Sequence, residues 1–163
     1  MTEPIVTLGT VSHIGIVVED ADAAAAFYTR TFGLGPFSTQ IYDMNEAPYF
    51  RVNGEQNPAI FKAAIAYSGG VFIELVEVIE GQTVHTEFLK ERGAGLQHLA
   101  FNVTGGKKIV ERLAAEGIQA ILEYEFETEF NSKPMHVYEV YLDTARLTGG
   151  TTIQLLEMTP LES

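Results

Sequence analysis

Apolar residues alternate from position 11 to 18, so that an extended chain puts Ile14, Ile16 and Val18 on one face and His13, Gly15 and Val17 on the other. Asp20 is placed to cap a following helix, Ala21-Asp-Ala-Ala-Ala-Ala-Phe27-Tyr28-Thr-Arg-Thr-Phe32, which is rich in helix formers and stops at Gly33. Strand-like segments follow at about 37–43, 59–67 and 71–79, the last two joined by Ser68-Gly69-Gly70. This βαβββ order recurs as a strand at 96–103, a helix at about 106–116 ending at Gly117, and strands near 118–124, 134–142 and 151–158. Between the units, residues 83–92 have helical periodicity and end in Gly93-Ala-Gly95. The pattern predicts one α+β domain over 1–163, with a first module at 11–80, a helical connector at 81–95 and a second module at 96–160.

Each module opens its first strand with a histidine and carries a glutamate in its last: 61 positions separate His13 from Glu74 in Phe-Ile-Glu74-Leu-Val, and 59 separate His98 from Glu157 in Leu-Leu-Glu157-Met. Two such units packed face to face would bring two imidazoles and two carboxylates together, a donor set for a divalent metal. Gly15 and Ala100 each stand two residues after the histidine on the histidine's own face, and are expected to leave open space beside the imidazole. Ile14, Ile16 and Val18, with Leu99, Phe101 and Val103, should pack under the helices.

At 163 residues the chain is long enough to bury a core without a structural metal, so a metal here points to chemistry. The absence of cysteine removes thiolate metal sites and cysteine nucleophiles. A net charge of −12 argues against nucleic acid and anionic membranes, and no apolar run is long enough to span a bilayer; a soluble cytoplasmic protein acting on a small molecule is the expectation. Five of the ten basic residues nevertheless fall between 90 and 112, either as solvated helix faces or as a seat for a phosphate-bearing substrate.

The segments Ser12-His13-Ile-Gly-Ile-Val-Val, Phe27-Tyr28-Thr-Arg-Thr-Phe32-Gly33-Leu34, Val71-Phe-Ile-Glu74-Leu-Val-Glu, the run from Phe88 to Phe101, and Gly149-Gly-Thr-Thr-Ile-Gln-Leu-Leu-Glu157 occur in an order that resembles the vicinal oxygen chelate superfamily, which includes glyoxalase I, methylmalonyl-CoA epimerase and extradiol dioxygenases. The resemblance spans about Val11 to Met158. It implies the glyoxalase/bleomycin resistance/dioxygenase fold, a curved mixed sheet around a metal-binding cavity, and a homodimer. Carried over by position, it makes His13, Glu74, His98 and Glu157 the ligands of one divalent ion, Zn, Ni, Co, Mn or Fe.

The resemblance also frames the reaction. Epimerase-like or glyoxalase-like chemistry would run through a metal-stabilised enolate with Glu157 or Glu74 as base. A second acid would come from the strand at 59–67, which reads Ile-Phe-Lys62-Ala-Ala-Ile-Ala-Tyr67 and leaves Lys62 or Tyr67 to substitute. Val17 and Val78 occupy the positions where glutathione-reading Arg and Asn are expected, which disfavours glutathione. An extradiol-type alternative at Fe(II) would draw on His85, His136 and Tyr141, and a third reading is ligand binding without turnover. Phe37, Tyr42, Tyr49 and Phe50 suggest a lid or rim, and the alternating acids and aromatics from Glu123 to Phe130 a hairpin edge.

Overall fold

The computed structural model describes residues 3–161. The duplicated order is present. The first module comprises β1 (Val11–Val17), α1 (Ala21–Phe32), β2 (Ser38–Asp43), β3 (Tyr49–Val52), β4 (Glu55–Gln56), β5 (Ile60–Ser68) and β6 (Val71–Glu80). After the connecting helix α2 (Val84–Arg92), the second contributes β7 (Gly95–Asn102), α3 (Gly106–Ala115), β8 (Ala120–Phe130), β9 (Lys133–Leu142) and β10 (Thr152–Pro160). Among the described residues the strands form one curled mixed sheet in the order β2-β5-β6-β1-β7-β10-β9-β8-β3-β4. No helix among them is long and apolar enough to cross a membrane.

The middle of the sheet carries the internal symmetry. β1 and β7 run antiparallel, and each lies parallel to the last strand of its own module, β6 or β10. Across the β1–β7 pair His13 stands opposite Ala100 and Gly15 opposite His98. The alternation read from the sequence holds on the convex side, where Ile16 and Val18 pack with Ala21, Ala25, Ala64 and Leu75 beneath α1. Leu113 of α3 meets Tyr138, Val140, Leu142 and Leu155 in the same way on the second module. The concave side is filled at one end by Phe50, Leu122, Tyr124, Tyr141, Met44 and Val84.

Two expectations change here. Tyr49 and Phe50 belong to β3, which crosses from the first module to pair with β8 of the second, so Phe50 is a core residue, 1 % exposed, and not part of a lid. For the same reason the start of the acidic-aromatic run is interior to the sheet, since β3 flanks Leu122–Glu125 opposite β9, whereas Phe126–Phe130 pairs with β9 alone and forms the expected hairpin edge; Leu122, Tyr124 and Phe126 face the concave core while Glu123 and Glu125 face outward. A short strand such as Tyr49–Val52 lacks the length for its own periodicity to be legible, and its pairing is long-range.

The helix starts explain two glutamates. Asp20 accepts a bond from Ala23 N (2.8 Å) at the start of α1, and Glu77 of β6 accepts one from Ala21 N (2.9 Å). Helix α3 begins at Gly105, which has no side chain to cap with, and Glu157 of β10 takes that role by accepting from Gly105 N (2.6 Å) and Gly106 N (2.9 Å). A Cβ on Gly106 would stand 2.9 Å from the Tyr138 ring and 3.2 Å from Glu157 Oε2, so the glycine lets the carboxylate reach the backbone. Replacing Glu157 by Ala should therefore lower stability by about 1 kcal/mol in denaturant unfolding, and Glu77→Ala by less, because Asp20 still caps α1.

Candidate metal centre and cavity

Three donors converge at the centre of the concave face. His13 Nε2 lies 3.3 Å from His98 Nε2, and Glu74 Oε2 lies 3.5 Å from the first and 3.3 Å from the second. His98 Nδ1 meets the acceptor Gln97 Oε1 at 2.6 Å, which places that ring's proton on Nδ1 and turns its Nε2 lone pair inward, and His13 Nδ1 meets the Ser12 hydroxyl at 3.1 Å, which can accept from the same position. Burial holds His13 at about 4 and His98 at about 3, below the ordinary 6.5; Glu74 partly opposes the effect at His13 and the neighbouring His98 adds to it. Both imidazoles are thus neutral at pH 7. Two lone pairs and a carboxylate oxygen facing one another repel unless a cation lies between them. Their separations match the edges of a tetrahedron with metal–donor bonds of about 2.0–2.2 Å, which are roughly 3.3–3.6 Å long.

A further donor comes from an unforeseen residue. Gln154 is fully buried, its Nε2 donates to Glu139 Oε2 (2.5 Å), and its Oε1 has no hydrogen-bond partner. An orphaned buried acceptor beside His13 is what a fourth ligand position looks like before the ion is considered. The residues present fit a divalent metal.

Glu157, expected among the ligands and as a base, is elsewhere: three residues after Gln154 on a strand of period two, it faces outward to α3. The sequence held the signal in another form. Aligning Phe72-Ile-Glu74-Leu-Val-Glu77 with Thr152-Ile-Gln154-Leu-Leu-Glu157 pairs Glu74 with Gln154 and Glu77 with Glu157, and the strand registers agree, Gly15 standing beside Glu74 and Ala100 beside Gln154. The outward pair are both helix-capping carboxylates. A spacing of 59 instead of 61 concealed this, because it compared distances and not strand parity.

The space expected beside the imidazoles is occupied. A methyl group at Gly15 would stand 1.8 Å from Cε1 of His98, so glycine makes room for the other module's ring. The open volume lies beyond the donors, in a cavity of about 400 Å³ lined by His13, Glu74 and Glu139 with Tyr42, Phe72 and Phe126. Glu139 was not foreseen. It sits on β9 at the position matching Ala63 of β5, since Ala63 pairs with Val76 and Glu139 with the equivalent Leu156. The strand at 59–67 carries no acid, and its counterpart in the second module carries Glu139 at the equivalent position. Tyr124 Oη donates to Glu139 Oε2 (2.5 Å), and burial together with the charge of Glu74 raises the acid to about 8.

Of the expected substrate contacts, Tyr67 lines the cavity. Lys62 faces the convex side, bound to Asp22 (2.9 Å) and Glu77 (3.4 Å). His136 also faces outward and meets Glu125 at 2.7 Å, because it is an odd number of residues from the inward Glu139 and Tyr141. His85 and Tyr141 point inward but pack behind His98, with ring centroids 6.0 and 5.0 Å from it, and do not line the cavity. His85 is buried with Nε2 unpartnered, and burial lowers it to about 3, with His98 adding to the effect.

Gly15→Ala should abolish stoichiometric metal uptake, measured by elemental analysis, whereas Glu157→Ala should retain it. In the metal-free protein the three buried imidazoles favour the fold fully above about 6.5 and progressively less as pH falls toward 4 and 3. Glu139, raised from 4.5 to about 8, works in the other direction, its contribution fading as pH rises through that window. Thermal unfolding without metal should therefore show greatest stability near neutral pH and a steep loss from pH 6.5 to 4.5, where three imidazoles outweigh one carboxyl; a flat profile there would contradict their burial as neutral rings.

Comparison with known proteins places this architecture. The uncharacterized protein YqjC of Bacillus subtilis (strain 168) is 24 % identical over 150 residues, covering 92 % of this chain and 93 % of its own. Methylmalonyl-CoA epimerase from Mycobacterium tuberculosis is similar in structure with a TM-score of 0.61 at 21 % identity, over 98 % of this chain and 93 % of that one. A mutant of 4-hydroxymandelate synthase from Streptomyces coelicolor aligns with a TM-score of 0.62 at 15 % identity, over 96 % of this chain and 50 % of that one. At these identities the structural likeness is one of fold. The family model of the Glyoxalase/Bleomycin resistance protein/Dioxygenase superfamily matches residues 12–138, and the chain belongs to that superfamily.

Proposed function

We propose that the protein is a divalent-metal-dependent isomerase, epimerase or lyase that moves a proton on a small oxygenated metabolite by way of an enolate. The observation that carries this reading is the meeting of the His13, Glu74 and His98 donors with a second carboxyl, Glu139, in one cavity. His13, Glu74 and His98, with Gln154 as the fourth position, would hold the ion. A bound divalent cation supplies stabilisation of negative charge developing on a substrate oxygen.

The chain's own groups supply the proton traffic. A group that removes or returns a proton beside a carbonyl works best with a pKa close to the working pH, and Glu139 is raised to about 8. Both hydrogen bonds to its carboxyl fall on Oε2, from Tyr124 and Gln154, so Oε1 is the oxygen left to meet substrate. Tyr42, Phe72 and Phe126 line the same cavity and give that contact an apolar surround. In the metal-free protein burial, with the charge of Glu74 adding to it, holds Glu139 in the acid form; a divalent ion beside Glu74 would offset that charge and ease loss of the proton. The ring-cleaving alternative receives less support, because His136 is on the far face of the sheet and His85 and Tyr141 do not reach the cavity. A homodimer accords with the two open sheet edges at β2 and β4.

Deuterium exchange into enolisable α-hydroxyketones and α-acyl thioesters, followed anaerobically, tests the proposal. Glu139→Gln should lower exchange about 10²–10⁴-fold while leaving the metal content unchanged. Wild-type protein that stays empty after loading with Zn, Ni, Co, Mn and Fe, or exchange unaltered in the variant, would overturn it.

A further inference from the structure

Resting on the metal reading above, we infer that Tyr42 is a catalytic residue, a fixed O–H donor that reaches from the outer strand β2 to the substrate oxygen on which negative charge develops. Its place in the fold carries the inference. Tyr42 pairs with Phe61 of β5 and Phe126 with Val137 of β9, and Phe61 and Val137 each precede by two positions the matched residues Ala63 and Glu139. Tyr42 and Phe126 are thus equivalent residues of the two modules, and their rings meet with centroids 5.4 Å apart. Residues related by a two-fold axis touch one another only near that axis. His13 and His98, also equivalent, meet on it with ring centroids 5.3 Å apart. The axis that passes through the donor cluster on the central strands therefore emerges, across the hollow of the curled sheet, at Tyr42 and Phe126.

Local contacts hold the side chain there. Alternation along β2 turns Gln40 and Tyr42 inward opposite Ala63 and Phe61, and leaves Ile41 outside opposite Lys62. The Tyr42 ring stacks on Phe61 at 5.2 Å and meets Phe126 edge-on, so one aromatic from each module fixes it. These rings continue the apolar cluster that fills one end of the concave side, while the half-buried Tyr42 also lines the open cavity with Glu74 and Glu139. The charges of both glutamates act on the phenol, which puts its hydroxyl on the cavity side of that border.

The hydroxyl is also uncommitted. Tyr49 and Tyr138 donate to Glu123 and Tyr124 donates to Glu139, whereas the Tyr42 hydroxyl has no such partner among the described residues. Burial, with the charges of Glu139 and Glu74 adding to it, pushes the phenol well above its ordinary 10. A divalent ion would offset Glu74 and leave burial, the largest cause, in place. Tyr42 therefore keeps its proton at neutral pH: it gives a hydrogen bond, and Glu139 remains the group that carries the proton. A neutral donor fixed in advance binds more strongly as charge builds on the oxygen it meets, which favours the enolate over the starting carbonyl. The duplication keeps a ring at both positions on the axis and a hydroxyl at one.

The test uses metal-loaded protein and acetohydroxamate, whose adjacent oxygens imitate an enediolate, with calorimetry as the readout. Tyr42→Phe keeps the ring against Phe61 and Phe126 and removes only the hydroxyl. It should weaken acetohydroxamate about 10–100-fold, the loss expected for one hydrogen bond to a charged group, and leave metal content unchanged. Deuterium exchange into hydroxyacetone should fall about 10²–10³-fold in kcat with little change in KM. A Phe variant that binds acetohydroxamate as tightly as the wild type, or exchanges deuterium as fast, would overturn the inference, because a packing role for the ring predicts that result. Metal content measured on the same samples separates the two claims. Wild-type protein that takes up no metal defeats the proposed function, whereas metal-loaded protein that ignores acetohydroxamate, or binds it alike in both forms, defeats the role of Tyr42 alone.

Discussion

The close pairing of β1 with β7 is the constraint from which the rest of the site follows. In an antiparallel pair, side chains directly opposite project to the same face only about 5 Å apart, so a large ring on one strand requires a small residue across from it. Gly15 faces His98 and Ala100 faces His13, and the His98 ring fills the volume a side chain at Gly15 would need. That exchange of space between modules lets two imidazoles approach to 3.3 Å, closer than their hydration shells would permit in water. β6 and β10, parallel to these strands, then add one residue each in fixed register, Glu74 and Gln154.

The electrostatics follow from this packing. Rings buried this deeply are neutral, and the Nδ1 contacts with Ser12 and Gln97 hold both Nε2 atoms toward Glu74 and toward each other. Desolvation, which normally penalises polar clusters, here creates a preorganised acceptor set with few protons to displace on metal binding. The same burial acts oppositely on Glu139 and keeps a carboxyl in its acid form nearby. One physical cause thus yields both neutral imidazoles and a carboxyl raised toward neutral pH.

Symmetry is preserved in the scaffold and broken in the chemistry. Glu77 and Glu157 are equivalent and do the same work at the starts of α1 and α3. Glu74 and Gln154 are equivalent but differ in charge, as do Ala63 and Glu139. The candidate site therefore has a charged donor on the first module and a carboxyl outside the His13–Glu74–His98 group on the second. The β3–β4 excursion departs from the duplication too, tying the first module onto β8 and placing Phe50 in the core beneath the site.

The local pattern of the chain by itself determined the duplicated order of elements, both histidines, Glu74 and the convex faces under the helices. These depend on alternation, helix caps and turn residues a few positions apart, which are written in contiguous sequence. Only the tertiary structure decided that Gln154 and not Glu157 stands beside His13, that Glu139 enters the cavity, and that His85 and Tyr141 pack behind His98 while Lys62 and His136 lie on the outer face. Each outcome turns on strand parity and inter-strand register, where a slip of one residue carries a side chain from the cavity to the opposite face. Such registers are set by contacts between segments far apart in the chain, and the linear spacing of His98 and Glu157 carries no record of them.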